Sequence, residues 1–232
     1  MIIINVLLVI ACVFLGFHIL TKKYCNPYKL IFVFGKKGSG KSTLLSKLAY
    51  KYLKSGKTVY STENLKFKIK NKEVSTTPLN PRNIYNYSFP EGTIILIDEV
   101  SLIWDNRDFK HMDKKVIEWF RYQRHYKVRT YLFSQTFDID KKLRDLADDM
   151  YLVNKFARVW AIARHMIRKP VVVHPSAEAP ARIDDDIITD GLLLAPFGGM
   201  MVAFIPYWAK VFDSFSVPSD APSSNSTPIL SA

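Results

Sequence analysis

The chain has little cysteine: two in 232 residues, Cys12 and Cys25. That number rules out a disulfide scaffold, and neither residue stands at metal-ligand spacing. His111, His125, His165 and His174 form no metal motif either, and His125 beside Arg124 reads as a packing or site-bordering residue. Acidic residues are scarce beside basic ones, 21 Asp and Glu against 33 Lys and Arg, which leaves a formal net charge of +12. An anionic partner, nucleic acid or a lipid surface, accounts for such a balance, and so does a basic surface without that purpose. At 48% hydrophobic and 23% charged, the composition excludes wholesale disorder. The length suits one domain with attachments and a core that needs no staples.

Charge is absent altogether from residues 1–20, MIIINVLLVIACVFLGFHIL. Twenty helical residues at ~1.5 Å each span about 30 Å, the thickness of a bilayer core. Lys22, Lys23 and Tyr24 follow at once, so positive-inside reasoning keeps the rest of the chain in the cytoplasm. A cleaved signal peptide is disfavoured, because it places its charge before the apolar run and a small-residue cleavage site after it. The expectation is a transmembrane anchor over 1–21; the alternative is a buried N-terminal strand.

A second apolar stretch, GLLLAPFGGMMVAFIPYW over 191–208, is cut into short pieces by Pro196, Gly198, Gly199 and Pro206. Two strands joined by a Pro/Gly turn fit better than a second transmembrane helix, and both readings stay open. Residues 216–232, rich in Ser and Pro, read as a disordered tail.

The chemistry lies in LIFVFGKKGSGKSTLLSKLAYKYLKSG. Leu30 to Phe34 is an apolar strand. Gly35, Lys36, Lys37, Gly38, Ser39, Gly40, Lys41 and Ser42 fit the phosphate-loop pattern G-x-x-x-x-G-K-[ST], and Thr43 continues into a helix. Leu44, Leu45, Leu48, Ala49, Tyr52 and Leu53 share one helical face, and Gly56 ends it. Glycines let backbone N–H groups wrap an anion, and the helix N-terminus adds partial positive charge. Lys41 is placed to reach the β- and γ-phosphates of a nucleotide, and the Ser42 hydroxyl to ligate Mg²⁺.

GTIILIDE, from Gly92 to Glu99, supplies the other half. A β-branched apolar run ending in Asp sets a carboxylate at the C-terminal edge of a buried parallel strand, where ligands bind in open α/β sheets. Asp98 is the expected second metal residue, and Glu99 a general base for an attacking water. The interval between Lys41 and Asp98 leaves room for an intervening strand, for which Thr58 to Ser61 is the candidate. An extra strand plus an adjacent Glu describes the ATP-hydrolysing motor branch. The GTPase pattern fails: no D-x-x-G follows Asp98, and Asn154-Lys155-Phe156-Ala157 lacks the Asp that reads guanine.

Beyond Glu99 come Arg107 and a helix from about Asp113 to Tyr126, with Val116, Ile117 and Phe120 inward. Val128 to Ser134 is the next strand, and Gln135 stands at its end, there to sense the γ-phosphate, position the water, or close a strand-end hydrogen bond. Ile139 to Asp148 reads as a short helix carrying Arg144.

Together, the phosphate loop, IILIDEVSLIWDNRDFK and RYQRHYKVRTYLFSQTFDIDKKLRDLAD resemble the zonular occludens toxin-like ATPases of filamentous bacteriophages, relatives of the FtsK and HerA DNA pumps. The match runs from about Leu30 to Leu152, and Ile205-Pro206-Tyr207-Trp208 with Phe212-Asp213-Ser214 resembles the family's closing segment. The resemblance implies a membrane-bound ATPase, working as a ring, that acts while a single-stranded phage genome is extruded. Better-known members carry their transmembrane helix after the ATPase domain; here the apolar run comes first. Ring motors complete each site with a neighbour's arginine, for which Arg144, Arg124 and Arg107 are the candidates. Each is equally a surface arginine or a local ion pair.

Two basic segments have no assigned place. Lys66, Lys68, Lys70 and Lys72 alternate, so one strand face would present four ammonium groups, either to prevent edge pairing or to meet DNA phosphates. Arg158, Arg164, Arg168 and Lys169 follow Trp160 and suit phosphate contact or anionic lipid.

The combined expectation is a three-layer α/β P-loop NTPase of the additional-strand, RecA/FtsK-like class over 28–215, behind an N-terminal transmembrane helix. It would sit as a single-pass protein in the host inner membrane with the ATPase domain in the cytoplasm. It would use ATP and Mg²⁺ and form a homo-oligomeric ring whose partners are single-stranded DNA or phage assembly proteins. Two rivals stand beside it, a nucleotide-gated scaffold and a P-loop small-molecule kinase.

Overall fold

The computed structural model describes residues 2–21, 24, 26–104, 113–137, 141–173, 182–189 and 199–209. In chain order, Ile2–Thr21 is α1, Leu30–Phe34 β1, Lys41–Lys54 α2, Val59–Ser61 β2, Lys66–Ile69 β3, Lys72–Ser75 β4 and Thr77–Pro78 β5. Ile94–Ile97 is β6, Val100–Ile103 α3, Lys114–Tyr122 α4, Arg129–Ser134 β7 and Lys141–Asp145 α5. Asp149–Phe156 is β8, Trp160–Val173 β9, Arg182–Thr189 β10, Met200–Phe204 β11 and Ile205–Trp208 α6.

The main sheet runs β10-β9-β8-β1-β7-β6-β2-β5, with β11 also paired to β9. Its middle is parallel, β1 lying between β7 and β8 with Phe34 level with Ser134 and Leu152. Parallel strands covered on both faces read as unbroken apolar runs, and every residue of β1 and β6 is buried. One face packs Val33 and Phe133 against Leu44, Leu45, Leu48, Ala49 and Tyr52 of α2, the face that the helical spacing picks out. On the other, Phe32, Ile97 and Leu132 meet Val116, Trp119 and Phe120 of α4. Helices therefore lie on both faces of the sheet, and the α/β P-loop part of the expected fold fits.

Several expectations change. The strand at 59–61 forms, but on the far side of β6, so it does not separate β1 from β6. That place belongs to β7, which pairs in parallel with both. Spacing along the chain could not show this, because β7 comes after Asp98 and inserts in space, by its own buried face, where sequence order leaves a gap. Helix α4 stops at Tyr122, short of Tyr126, since the chain turns at 123–127 with Lys127 at φ +53. The four lysines do not share one strand: Lys70 and Asn71 take φ +48 and +62, a hairpin turn that puts Lys72 on β4. Lys66 and Lys68 remain together on an exposed face, and Lys72 falls level with Ile69 on the other.

The membrane expectation is overturned. Ile2–Thr21 is helical, yet among the described residues no helix is long and apolar enough to cross a membrane. Asn5 and His18 confine the unbroken apolar run to residues 6–17, about 18 Å of helix against about 30 Å of hydrocarbon. The transmembrane anchor over 1–21, and with it the single-pass inner-membrane location, is withdrawn. Residues 200–204 of the second apolar stretch are strand β11, antiparallel to β9, and 205–208 a short helix, so this part is no membrane-spanning helix. Residues 190–198, Arg107, Cys25 and the tail at 216–232 lie outside the described residues.

Candidate nucleotide site

The loop after β1 turns back over the sheet edge into α2. Gly38 and Gly40 stand at φ +75 and +96. At Gly40, where a left-handed residue precedes Lys41, a Cβ would lie 2.5 Å from the Ala161 Cβ and 3.5 Å from Ile205 Cδ1. A Cβ on Gly35 would lie 2.5 Å from the Val153 carbonyl oxygen. Both glycines are therefore required by close approach of β8, β9 and α6 to the phosphate loop. Ser39 is buried, and its hydroxyl is without a hydrogen-bond partner. Thr43 is buried in the first turn of α2, while Lys36, Lys37 and Gly38 are exposed on the loop.

Lys41 is buried and donates to the carbonyl oxygens of Gly35 at 2.8 Å and Lys36 at 3.2 Å. Burial lowers its pKa, against the upward pull of Glu99 and Asp98. Ser42 Oγ donates to Asp98 Oδ2 at 3.4 Å, so the two residues expected at the metal converge. Asp98 directly follows β6, fixed by its own N–H to Thr62 Oγ1 at 2.9 Å and by the Glu99 N–H to its Oδ1 at 2.9 Å. A hydroxyl and a carboxylate suit Mg²⁺, which takes few protein oxygens and keeps its waters. Among the described residues, no three or more His, Cys, Asp or Glu form a metal cluster.

Glu99 is held at φ +49, in the left-handed region that a residue with a side chain enters at a cost. Its Oε1 accepts from Gln135 Nε2 at 2.8 Å, whereas Oε2 is buried with no partner. Gln135, at the end of the interposed strand β7, therefore fixes the carboxylate. Arg144 is held by Phe137, its Nη1 donating to the Phe137 carbonyl at 3.1 Å and its guanidinium 4.2 Å over the Phe137 ring. Phe137 in turn packs on Phe34, the last residue before the phosphate loop. Arg124 is paired with Asp148 at the opposite edge, where Asp148 N–H meets Leu30.

Two residues escaped the sequence reading, Thr62 and Glu63. Both follow β2, whose parallel pairing with β6 puts them at the Asp98 edge. Burial first, then the charge of Glu99, raises the Glu63 pKa. The available signal was weak: an acid two residues after a three-residue strand. Three carboxyls so close shape the titration of Asp98: burial, then Glu99 and more weakly Glu63, raise its pKa to about 7, against the Glu99 N–H and Lys41.

A carboxyl whose folded pKa is raised binds more protons folded than unfolded between pH about 4 and 7, so its contribution favours folding below that window and is lost as pH rises through it. The metal-free protein should lose thermal stability from pH 5 to 7.5. Asp98→Asn should flatten that slope in a melting series, and an unchanged slope would put the titration elsewhere.

A family model described as an AAA domain matches residues 27–145, half of the chain. The chain belongs to the AAA-domain family. It is an ATPase of the P-loop class, and the resemblance of its motifs to zonular occludens toxin-like ATPases holds alongside that membership. No curated protein matches. Among solved structures, the chain is similar to the N-terminal domain of zonular occludens toxin from Neisseria meningitidis, with 15% identity over 72% of this chain and 97% of that one, TM-score 0.46. It is also similar to the genome packaging NTPase of Sulfolobus turreted icosahedral virus 2 in complex with ATP-gammaS, with 14% identity over 55% and 75% of the two chains, TM-score 0.42. A third is the flagellar accessory protein of Methanocaldococcus jannaschii, with 15% identity over 59% and 77%, TM-score 0.41.

Proposed function

We propose that this AAA-domain ATPase is a motor that couples ATP hydrolysis to the movement of single-stranded DNA during assembly of a filamentous virion, working as a homo-oligomeric ring. The observation that carries the hydrolytic half is the Glu99 carboxylate: one oxygen is fixed by Gln135 while the other is buried without a partner. A base held in one orientation with a free acceptor suits proton removal from an attacking water. Backbone N–H groups from Gly35 to Thr43 would cradle the phosphates, with Lys41 on the β- and γ-oxygens. Ser42 and Asp98 would hold Mg²⁺, which when bound draws charge from the phosphate oxygens. Arg144 is our choice for the arginine given to a neighbour's site, because the Phe137–Phe34 stack carries it toward the phosphate-loop edge. The resemblance to phage assembly ATPases and the +12 charge support DNA as the cargo.

The test is ATP hydrolysis by the purified protein with and without single-stranded DNA. Stimulation of several-fold that fades with added salt is expected. Hydrolysis indifferent to DNA would replace the DNA motor by an ATPase acting on protein partners.

A further inference from the structure

Strand β8 outruns β1 by four residues at the phosphate-loop edge, and β9 returns from it through Ala157 and Arg158 at φ +45 and +61. Strand β11 lies along β9, so three strands reach this edge together. At their tips, Phe156 pairs with Trp160 and Trp160 with Phe204, which sets the three rings in one cross-strand row on one face of the sheet. The alternate positions, Ala161 and Ala203, are buried against the α2 side, so the row faces away from α2. All three rings are exposed: Phe156 at 61%, Trp160 at 39% and Phe204 at 39%. Trp160 and Phe204 have ring centroids 4.8 Å apart, and neither ring enters either core.

Apolar rings left in water on a sheet face need a partner. The charge around them says which kind. The same face carries exposed Asn154 and Arg164, the turn adds Arg158, and no carboxylate lies on it at 154–164 or 200–204. Arg168 is excluded, being held by Asp145 and the Arg144 carbonyl. Rings about 4.8 Å apart on neighbouring strands form a platform roughly 10 Å across, enough for two stacked bases, with Arg164 about 13 Å further along β9 for the phosphates. Stacking is sequence-tolerant because every base has a π-face, and arginine supplies the backbone contact.

We infer that the Phe156–Trp160–Phe204 row, flanked by Arg158 and Arg164, is the platform on which single-stranded DNA stacks. This inference rests on the proposed action on single-stranded DNA and gives that cargo its place. The platform stands at the phosphate-loop edge, where β9 touches Gly40 through Ala161. Any shift of the loop on nucleotide binding would therefore be passed to the DNA-bearing strands through this close approach.

The experiment is anisotropy of labelled oligo-deoxythymidine with wild type, Trp160→Ala, Phe204→Ala, Trp160→Phe and Arg164→Ala, each also assayed for ATP binding and oligomeric state. The Ala variants at Trp160 and Phe204 should weaken DNA binding roughly 5- to 100-fold while ATP affinity stays within about twofold. Trp160→Phe, which keeps a ring, should recover most of the loss, and Arg164→Ala should lower the salt slope by about one. If wild-type hydrolysis responds to DNA but the ring variants bind it as wild type does, the platform is wrong and the motor stands. If the variants change assembly size and leave DNA binding alone, the row is an interface between copies and the inference is overturned. A wild type that neither binds DNA nor responds to it overturns the cargo itself.

Discussion

Glu99→Gln is expected to retain ATP binding within about twofold and to lose turnover by roughly 10²- to 10⁴-fold, the usual contribution of a general base. The exchange keeps the shape of the side chain and removes its proton affinity. The Gln135 amide still finds an oxygen acceptor at the position of Oε1, so the left-handed backbone at 99 has no cause to relax. What disappears is the buried, unpartnered Oε2 as an acceptor for a water proton. Removing one carboxylate also lightens the charge that burial concentrates around Asp98 and Glu63, so the Asp98 pKa should fall from about 7. Single-turnover hydrolysis and nucleotide titration on the same preparation separate the two effects. Turnover above about a tenth of wild type would remove Glu99 as the base and direct attention to Glu63, the neighbouring half-buried acid.

The strand, glycine loop and helix of the candidate phosphate site were legible because these parts are local. Strand, glycine loop and helix are consecutive in the chain, and each leaves a local signature: unbroken apolar residues, glycines where φ turns positive, then a helical apolar face. Asp98 and Glu99 were legible for the same reason. The roles that needed pairing between distant segments were not. That β7 is the strand between the two motifs depends on its docking beside β1, which no local pattern encodes. Gln135 therefore offered several roles in the sequence, and the contact with Glu99 gives its position. Glu63 was missed because a single acid after a three-residue strand looks like any loop residue until β2 pairs with β6.

Apolar content misled where its interruptions were discounted. Residues 1–20 have the length of a membrane span, but two polar positions divide the run. In residues 66–72, the period-two pattern of lysines is real, yet Lys70-Asn71 can take the paired positive φ values that a tight hairpin demands. The alternation thus continues across a turn, and the side chains divide between two faces. The row of Phe156, Trp160 and Phe204 shows the converse: Phe156 and Trp160 meet across a short turn, and the distant Phe204 joins them only through register.

Gly40→Ala is the second large effect expected, and it links the phosphate loop to the strands beyond it. A Cβ there meets the Ala161 Cβ at 2.5 Å, a separation that real methyl groups do not tolerate, on a backbone at φ +96 that L residues rarely adopt. Strain and overpacking together should cost about 2–5 kcal/mol, a fall in melting temperature of roughly 5–15 °C for a domain of this size. Nucleotide affinity should drop at least tenfold, because Lys41 and Ser42 start the helix directly after the displaced residue. Gly38→Ala is the comparison: φ is +75, but nothing lies within 4 Å of the added Cβ, so only conformational strain remains and about 1 kcal/mol is expected. Pairing Gly40→Ala with Ala161→Gly removes the clash and keeps the strain. The double variant should regain about half of the lost stability while nucleotide affinity stays low. Full recovery of both would mean that the close approach of β9 alone requires a glycine at this position, and no recovery would mean that backbone conformation alone does.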